Sequence, residues 1–193
     1  MLAHSFTKAP RSLTLMLLCI TLVMVTLSEA QAQSFLGETT SSVKLREGPG
    51  KEYSVIRVID EKAHVFVVSR TATSRYVNVI HVQSGNEGWI HENYVTILAE
   101  VPKSTEGVFT PTGQTNSQKA EVLVHNMTSL IVTLSLNGQS YSLQPDQKRT
   151  LRLSPGQYSY RAHAPGVIPY YGDDFLAAGS RYSWGFYIET VRR

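Results

Sequence analysis

The chain has 193 residues, with 18 Lys and Arg against 15 Asp and Glu, a net charge of +3 at neutral pH, and one cysteine. So even a balance supplies neither the basic stripe that nucleic acid needs nor the cationic patch that an anionic membrane attracts. A single cysteine excludes an intrachain disulfide, so the fold must rest on packing.

Lys8 and Arg11 precede an apolar run from Leu13 to Leu27, and Ala30-Gln-Ala32 follows with small residues at the positions a signal peptidase reads. The run is shorter than the roughly 20 apolar residues of a membrane span. Residues 1–32 therefore read as a signal peptide cleaved after Ala32, which makes the mature chain exported (periplasmic, cell-envelope or extracellular) with no membrane span. Cys19 lies inside this segment behind bulky Leu17 and Leu18, against a lipoprotein signal. Cleavage would remove Lys8, Arg11, Glu29 and Cys19, leaving no thiol nucleophile or cysteine metal site.

The next stretch, Lys44-Leu-Arg-Glu-Gly-Pro-Gly-Lys-Glu-Tyr-Ser-Val-Ile56, has the glycines and cations of a phosphate loop. Its central Pro49 has no N–H to offer a phosphate, a β-rich run replaces the helix such loops lead into, and no Gly-Lys-Ser/Thr ending follows. It reads as a shaped turn. Around it, short β-rich runs are expected near Ser42–Arg46, Val55–Ile59, His64–Ser69, Tyr76–Val82, Glu87–His91 and Val95–Leu98. Ser84-Gly85-Asn86 is a hairpin turn between two of them. Several short strands with no helical period predict a small closed or nearly closed barrel over residues 36–98.

Residues 99–118 are rich in Thr, Ser, Gly and Pro without apolar periodicity, and read as a linker in which Val108 and Phe109 could dock locally. From Lys119 to Arg193 the β pattern resumes. Strands are expected at Ala120–His125, Ile131–Leu136, Gln139–Leu143, Lys148–Leu153, Gln157–Ala164, Phe175–Ala177 and Tyr182–Val191. Asn137-Gly138 forms a two-residue hairpin turn. Turn signals every eight to twelve residues predict a small antiparallel β-sandwich over 119–193. The fold class is therefore all-β, a small barrel followed by a small sandwich.

Catalytic constellations are sparse. His64, His81, His91, His125 and His163 have no metal-ligand spacing. Asp173-Asp174 reads as a solvated turn, and no nucleophile elbow occurs. Asn126-Met-Thr128 is formally a glycosylation sequon. No cofactor, metal or enzymatic activity is expected.

The opening stretch and a second one, Gly88-Trp-Ile-His-Glu-Asn-Tyr-Val95, together resemble the start and end motifs of bacterial SH3-like (SH3b) domains. The middle strand departs from the family pattern, with Arg75-Tyr-Val-Asn-Val79 where a tryptophan is common. The resemblance implies an SH3-like barrel that binds peptidoglycan or a protein or peptide ligand. Its ligand-binding candidates are Arg46, Glu47, Tyr53, Trp89 and Tyr94, although residues placed like Trp89 and Tyr94 more often pack the barrel than touch a ligand. Two alternatives stand beside it. The aromatics crowded into the C-terminal module, Tyr170, Tyr171 and Trp184 foremost, suit carbohydrate binding, which would need Tyr170 and Tyr171 exposed and coplanar. An accessory subunit or inhibitor of an envelope enzyme is the other.

Overall fold

The computed structural model describes residues 33–188, so the signal-peptide reading of residues 1–32 lies outside the described residues, as does the end of the last expected strand. Within them the chain is almost entirely β. It has fifteen strands and one 3-10 turn, Glu92–Tyr94. Among the described residues no helix is long and apolar enough to cross a membrane.

The first seven strands form one sheet: β1 (Ser34–Thr39), β2 (Val43–Arg46), β3 (Val55–Ile59), β4 (His64–Val67), β5 (Tyr76–His81), β6 (Glu87–His91) and β7 (Val95–Val101). Their order is β3-β2-β6-β5-β4-β1-β7, so β3 and β7 are free edges. The expected barrel is thus corrected to an open sheet, which still encloses a core of its own on one face. Val65, Val79, Leu45 and Ile90 lie there with 0% exposure. Alternation along β6 turns Gly88 and Ile90 inward and Glu87, Trp89 and His91 outward.

β1 carried no sequence signal, because Ser34-Phe-Leu-Gly-Glu-Thr39 has little β-branched character. It is held by pairing with both β4 and β7. Gly37 is needed there, since a Cβ on it would lie 3.0 Å from the Thr96 carbonyl oxygen.

The second half is a sandwich of two four-stranded sheets. One has the order β11-β10-β13-β14, built from β10 (Val132–Leu136), β11 (Gln139–Leu143), β13 (Gly156–His163) and β14 (Tyr170–Leu176). The other has the order β12-β9-β15-β8, from β8 (Thr110–Gln114), β9 (Ala120–Asn126), β12 (Lys148–Leu153) and β15 (Ser180–Phe186). The pairing is antiparallel except between β9 and β15, which run parallel. Leu134, Leu143, Val122 and Leu176 meet between the sheets at 0% exposure. Glu121 of β9 ties its two neighbours together by accepting from Arg152 of β12 and Arg181 of β15, and these guanidiniums hold its carboxyl below the usual carboxylate range. Asn137 (φ 47°) and Gly138 (φ 82°) make the expected hairpin turn, both in the left-handed region.

Residues 99–118 are not a free linker. Their first part completes β7, Phe109 is 6% exposed in the sandwich core, and Thr110–Gln114 is an edge strand on β15. The order comes from tertiary partners that no local pattern announces. Asp174, expected in a solvated turn, accepts from the Val108 and Phe109 amides at 2.7 and 2.8 Å. Its neighbour Asp173 pairs with Lys103.

The two halves touch. The Arg161 guanidinium donates twice to the Glu87 carboxylate, at 2.9 and 2.8 Å. The Tyr171 hydroxyl donates to the Val101 carbonyl at 2.7 Å, and its ring meets Phe66 edge-on at 5.7 Å. Phe66, Ile80 and Glu87 all lie on the outer face of the seven-stranded sheet, so the sandwich covers one end of that face.

Candidate functional site

The residues expected to bind lie at the other end of that outer face. Arg46 and Trp89 stand directly opposite each other across β2 and β6, although they come from motifs about 40 residues apart in sequence. On the other side of Trp89 stands Asn78, and two residues along β6, His91 faces Tyr76. The rings of Tyr76, His91 and Tyr94 form an edge-to-face row, with centroids 5.3 and 5.9 Å apart. Tyr94 is 43% exposed on the 3-10 turn, whose Asn93 amide donates to the His91 imidazole.

The loop Glu47–Ser54 explains the remaining candidates. The Arg46 Nη1 donates to the Lys51 carbonyl at 3.0 Å and to the Tyr53 carbonyl at 2.7 Å, so the guanidinium fastens the loop. Tyr53, also 43% exposed, lays its ring on Gly48, where any Cβ would collide with it. Glycine at 48 therefore serves the ring's position. Glu47 is exposed, and among the described residues its carboxylate forms no ion pair. Of the five candidates, Arg46 and Trp89 are adjacent, Tyr94 joins through His91, and Tyr53 sits on the loop that Arg46 holds.

Next to Tyr53, the edge strand β3 exposes Val55 (44%), Ile56 (38%) and Val58 (53%). Val55 faces Arg46 and Val58 faces Lys44, so both lie on the outer face. The sequence marked β3 as a strand but did not mark its apolar residues as surface, because edge position is a tertiary property.

The aromatics of the sandwich divide differently from the expectation. Tyr170 is 48% exposed, but Tyr171 is 9% exposed and committed to the joint, so the exposed coplanar pair does not exist. At one open end of the sandwich the two sheets part around a cleft of about 620 Å³. Trp184 and Phe186 line it, and Tyr170 and Tyr187 stand at its rim.

The histidines are structural where the structure commits them. The His163 Nε2 lies 3.1 Å from the Gly85 carbonyl, and burial together with nearby Arg161 lowers its pKa. His81 is also buried, with its pKa lowered by desolvation and then by Arg57. The His125 Nε2 lies 2.9 Å from the Asp146 carboxylate. Among the described residues no cluster of three or more His, Cys, Asp or Glu is placed to hold a metal ion. Asn126 of the formal sequon is fully buried, with its amide donating to the Leu130, Leu143 and Gln144 carbonyls, so no glycan can be attached to it in this fold.

No family model matches the chain, and no curated protein matches it. Among solved structures, NlpC1 from Trichomonas vaginalis is similar over 78% of this chain at 12% sequence identity and a TM-score of 0.30. The matched part spans 46% of that protein's length.

Proposed function

We propose that the protein is an exported, non-enzymatic binding protein whose seven-stranded sheet attaches to cell-wall peptidoglycan or to a protein partner. The two sequence motifs support an SH3b-type attachment module. The observation that carries the proposal is the cross-strand placement of Arg46 and Trp89, which brings the two motifs onto one sheet face. A half-buried indole there offers flat apolar area. The flanking Tyr53 and Tyr94, each 43% exposed, and the apolar edge at Val55 and Val58 extend that area. Exposed aromatics and aliphatics gathered on one rigid face mark a contact surface.

Arg46 acts here by shaping the loop beneath Tyr53, since its guanidinium is already bonded to two carbonyls. Glu47 is the charged candidate left to orient a ligand, and exposed Lys44 stands on the same face.

Retention of the purified protein on purified peptidoglycan at physiological salt tests the reading. Saturable retention supports cell-wall attachment. No retention ends the peptidoglycan form and leaves a protein partner to be sought by crosslinking from position 53 or 94.

A further inference from the structure

We propose that the open end of the sandwich is a second binding site, and that it takes a neutral saccharide. The proposal is independent of the sheet face, because every residue lining the cleft lies at or after Glu106. Its volume of about 620 Å³ falls inside the range of small-molecule sites, roughly 300–1,000 Å³.

The lining chemistry selects the ligand class. The lining contains no lysine or arginine, one carboxylate, Glu106, and one histidine, His163, whose Nε2 is taken up by the Gly85 carbonyl, so it disfavours an anion. A wholly apolar ligand is disfavoured too, since it would bury Glu106, Thr110 and Ser183 against carbon, and each polar group so stranded is costly. A saccharide satisfies both conditions. Its hydroxyls reach these polar groups while its C–H faces lie on aromatic rings.

The rings are held ready for such a ligand. The Tyr170 hydroxyl lies 2.5 Å from the Ser104 hydroxyl, which fixes the ring at the rim. Behind it, buried Tyr160 lies 5.9 Å away with its ring tilted by 33° and backs the Tyr170 ring from the core. Deeper in, Trp184 lines the cleft with only its edge, 7% exposed, locked edge-on by Tyr160 at 5.1 Å and by Phe109 at 5.6 Å. Rings fixed before binding spare the ligand the ordering cost of mobile side chains.

Isothermal titration of the purified protein with N-acetylchitotetraose and with cellotetraose tests the proposal. We expect saturable binding of at least one, with a dissociation constant of about 1 mM or tighter. Tyr170→Ala should weaken it about tenfold or more, a loss of ~1.4 kcal/mol. Thr110→Trp, at an exposed position on the mouth, should abolish it, with a thermal melt confirming that each variant is folded. Absence of binding by both sugars overturns the proposal, as does binding that neither substitution changes in folded protein. Binding of a hydrophobic tryptophan-bearing peptide that Thr110→Trp blocks, with both sugars inactive, overturns the saccharide assignment and makes the cleft a protein-docking site.

Discussion

The seven-stranded sheet and the sandwich bury their apolar residues in different ways. Among the described residues, the sandwich closes two sheets over a core of sixteen buried side chains, whereas the single open sheet encloses eight. A third cluster, Phe66, Ile80 and Tyr171, belongs to both and lies in the joint. The sandwich has the larger core of its own, while the sheet leans on tight loop packing at one end and on its neighbour at the other. Apolar residues left on the outer face of the sheet are thus free for contact, and the room left in the sandwich opens at its end.

The largest expected effect comes from the two cores. Leu45→Ala and Leu134→Ala each remove a side chain with 0% exposure, at a cost of about 2–5 kcal/mol. Amide hydrogen exchange should show Leu45→Ala loosening β2, β5 and β6 while β9, β10 and β13 keep their protection, and Leu134→Ala doing the reverse. Equal loss in both halves would make them one cooperative unit and end the contrast.

Next comes the tight packing of the sheet. A Cβ on Gly88 would lie 2.6 Å from the Arg46 carbonyl oxygen and 2.9 Å from Leu45 and Ile56. Gly88→Ala should therefore cost about 1–3 kcal/mol, measured by denaturant unfolding. It should also displace Trp89 beside it, seen as a red shift in tryptophan emission. Unchanged stability would mean that β2 and β6 can part without loss.

A smaller effect is expected at the joint. Arg161→Gln removes two hydrogen bonds to Glu87, whose side chain is 36% exposed, so the cost is discounted for solvent to about 1 kcal/mol. Exchange should quicken around Ile80 and Tyr171 and leave both cores unchanged.

The smallest effect is a pH slope. His163 is held neutral in the fold with its pKa below the ordinary 6.5, so the unfolded chain binds the extra proton first as pH falls. The stability this gives is complete above pH 6.5 and is lost as pH drops from there through the folded pKa. His81 acts with the same sign. Glu87 and Arg161 are the charged groups facing His163, one raising and one lowering its pKa. His163→Gln keeps a donor for the Gly85 carbonyl and should flatten the fall in melting temperature between pH 7.5 and 5.5. An unaltered slope would remove His163 from the account.

Local chemistry made some of this legible in the sequence. Asn137-Gly138 announces its hairpin because few other residues tolerate two successive left-handed positions. The β-branched run Val55–Ile59 announces a strand. Position within a sheet is not local, so β1 and β8 were not visible, nor was the openness of the sheet. The first half of β14 was missed because Gly172-Asp-Asp174 has the composition of a turn. Its aspartates are fixed by Lys103 and by the Val108 and Phe109 amides, about 65–70 residues earlier in the chain. The motifs did identify residues that meet, Arg46 and Trp89, but gave Arg46 a ligand role where its hydrogen bonds go to its own loop. The cleft is built from the ends of strands scattered along the second half, and no short stretch encodes it.

The central claim, that the outer face around Trp89 is what attaches, is tested most directly by comparing peptidoglycan retention of the wild-type protein and of Trp89→Ala. Retention should fall about tenfold or more with the substitution, roughly the loss of one aromatic anchor, while hydrogen exchange in the sandwich stays unchanged. Retention equal to that of the wild type, in folded protein, would contradict the claim.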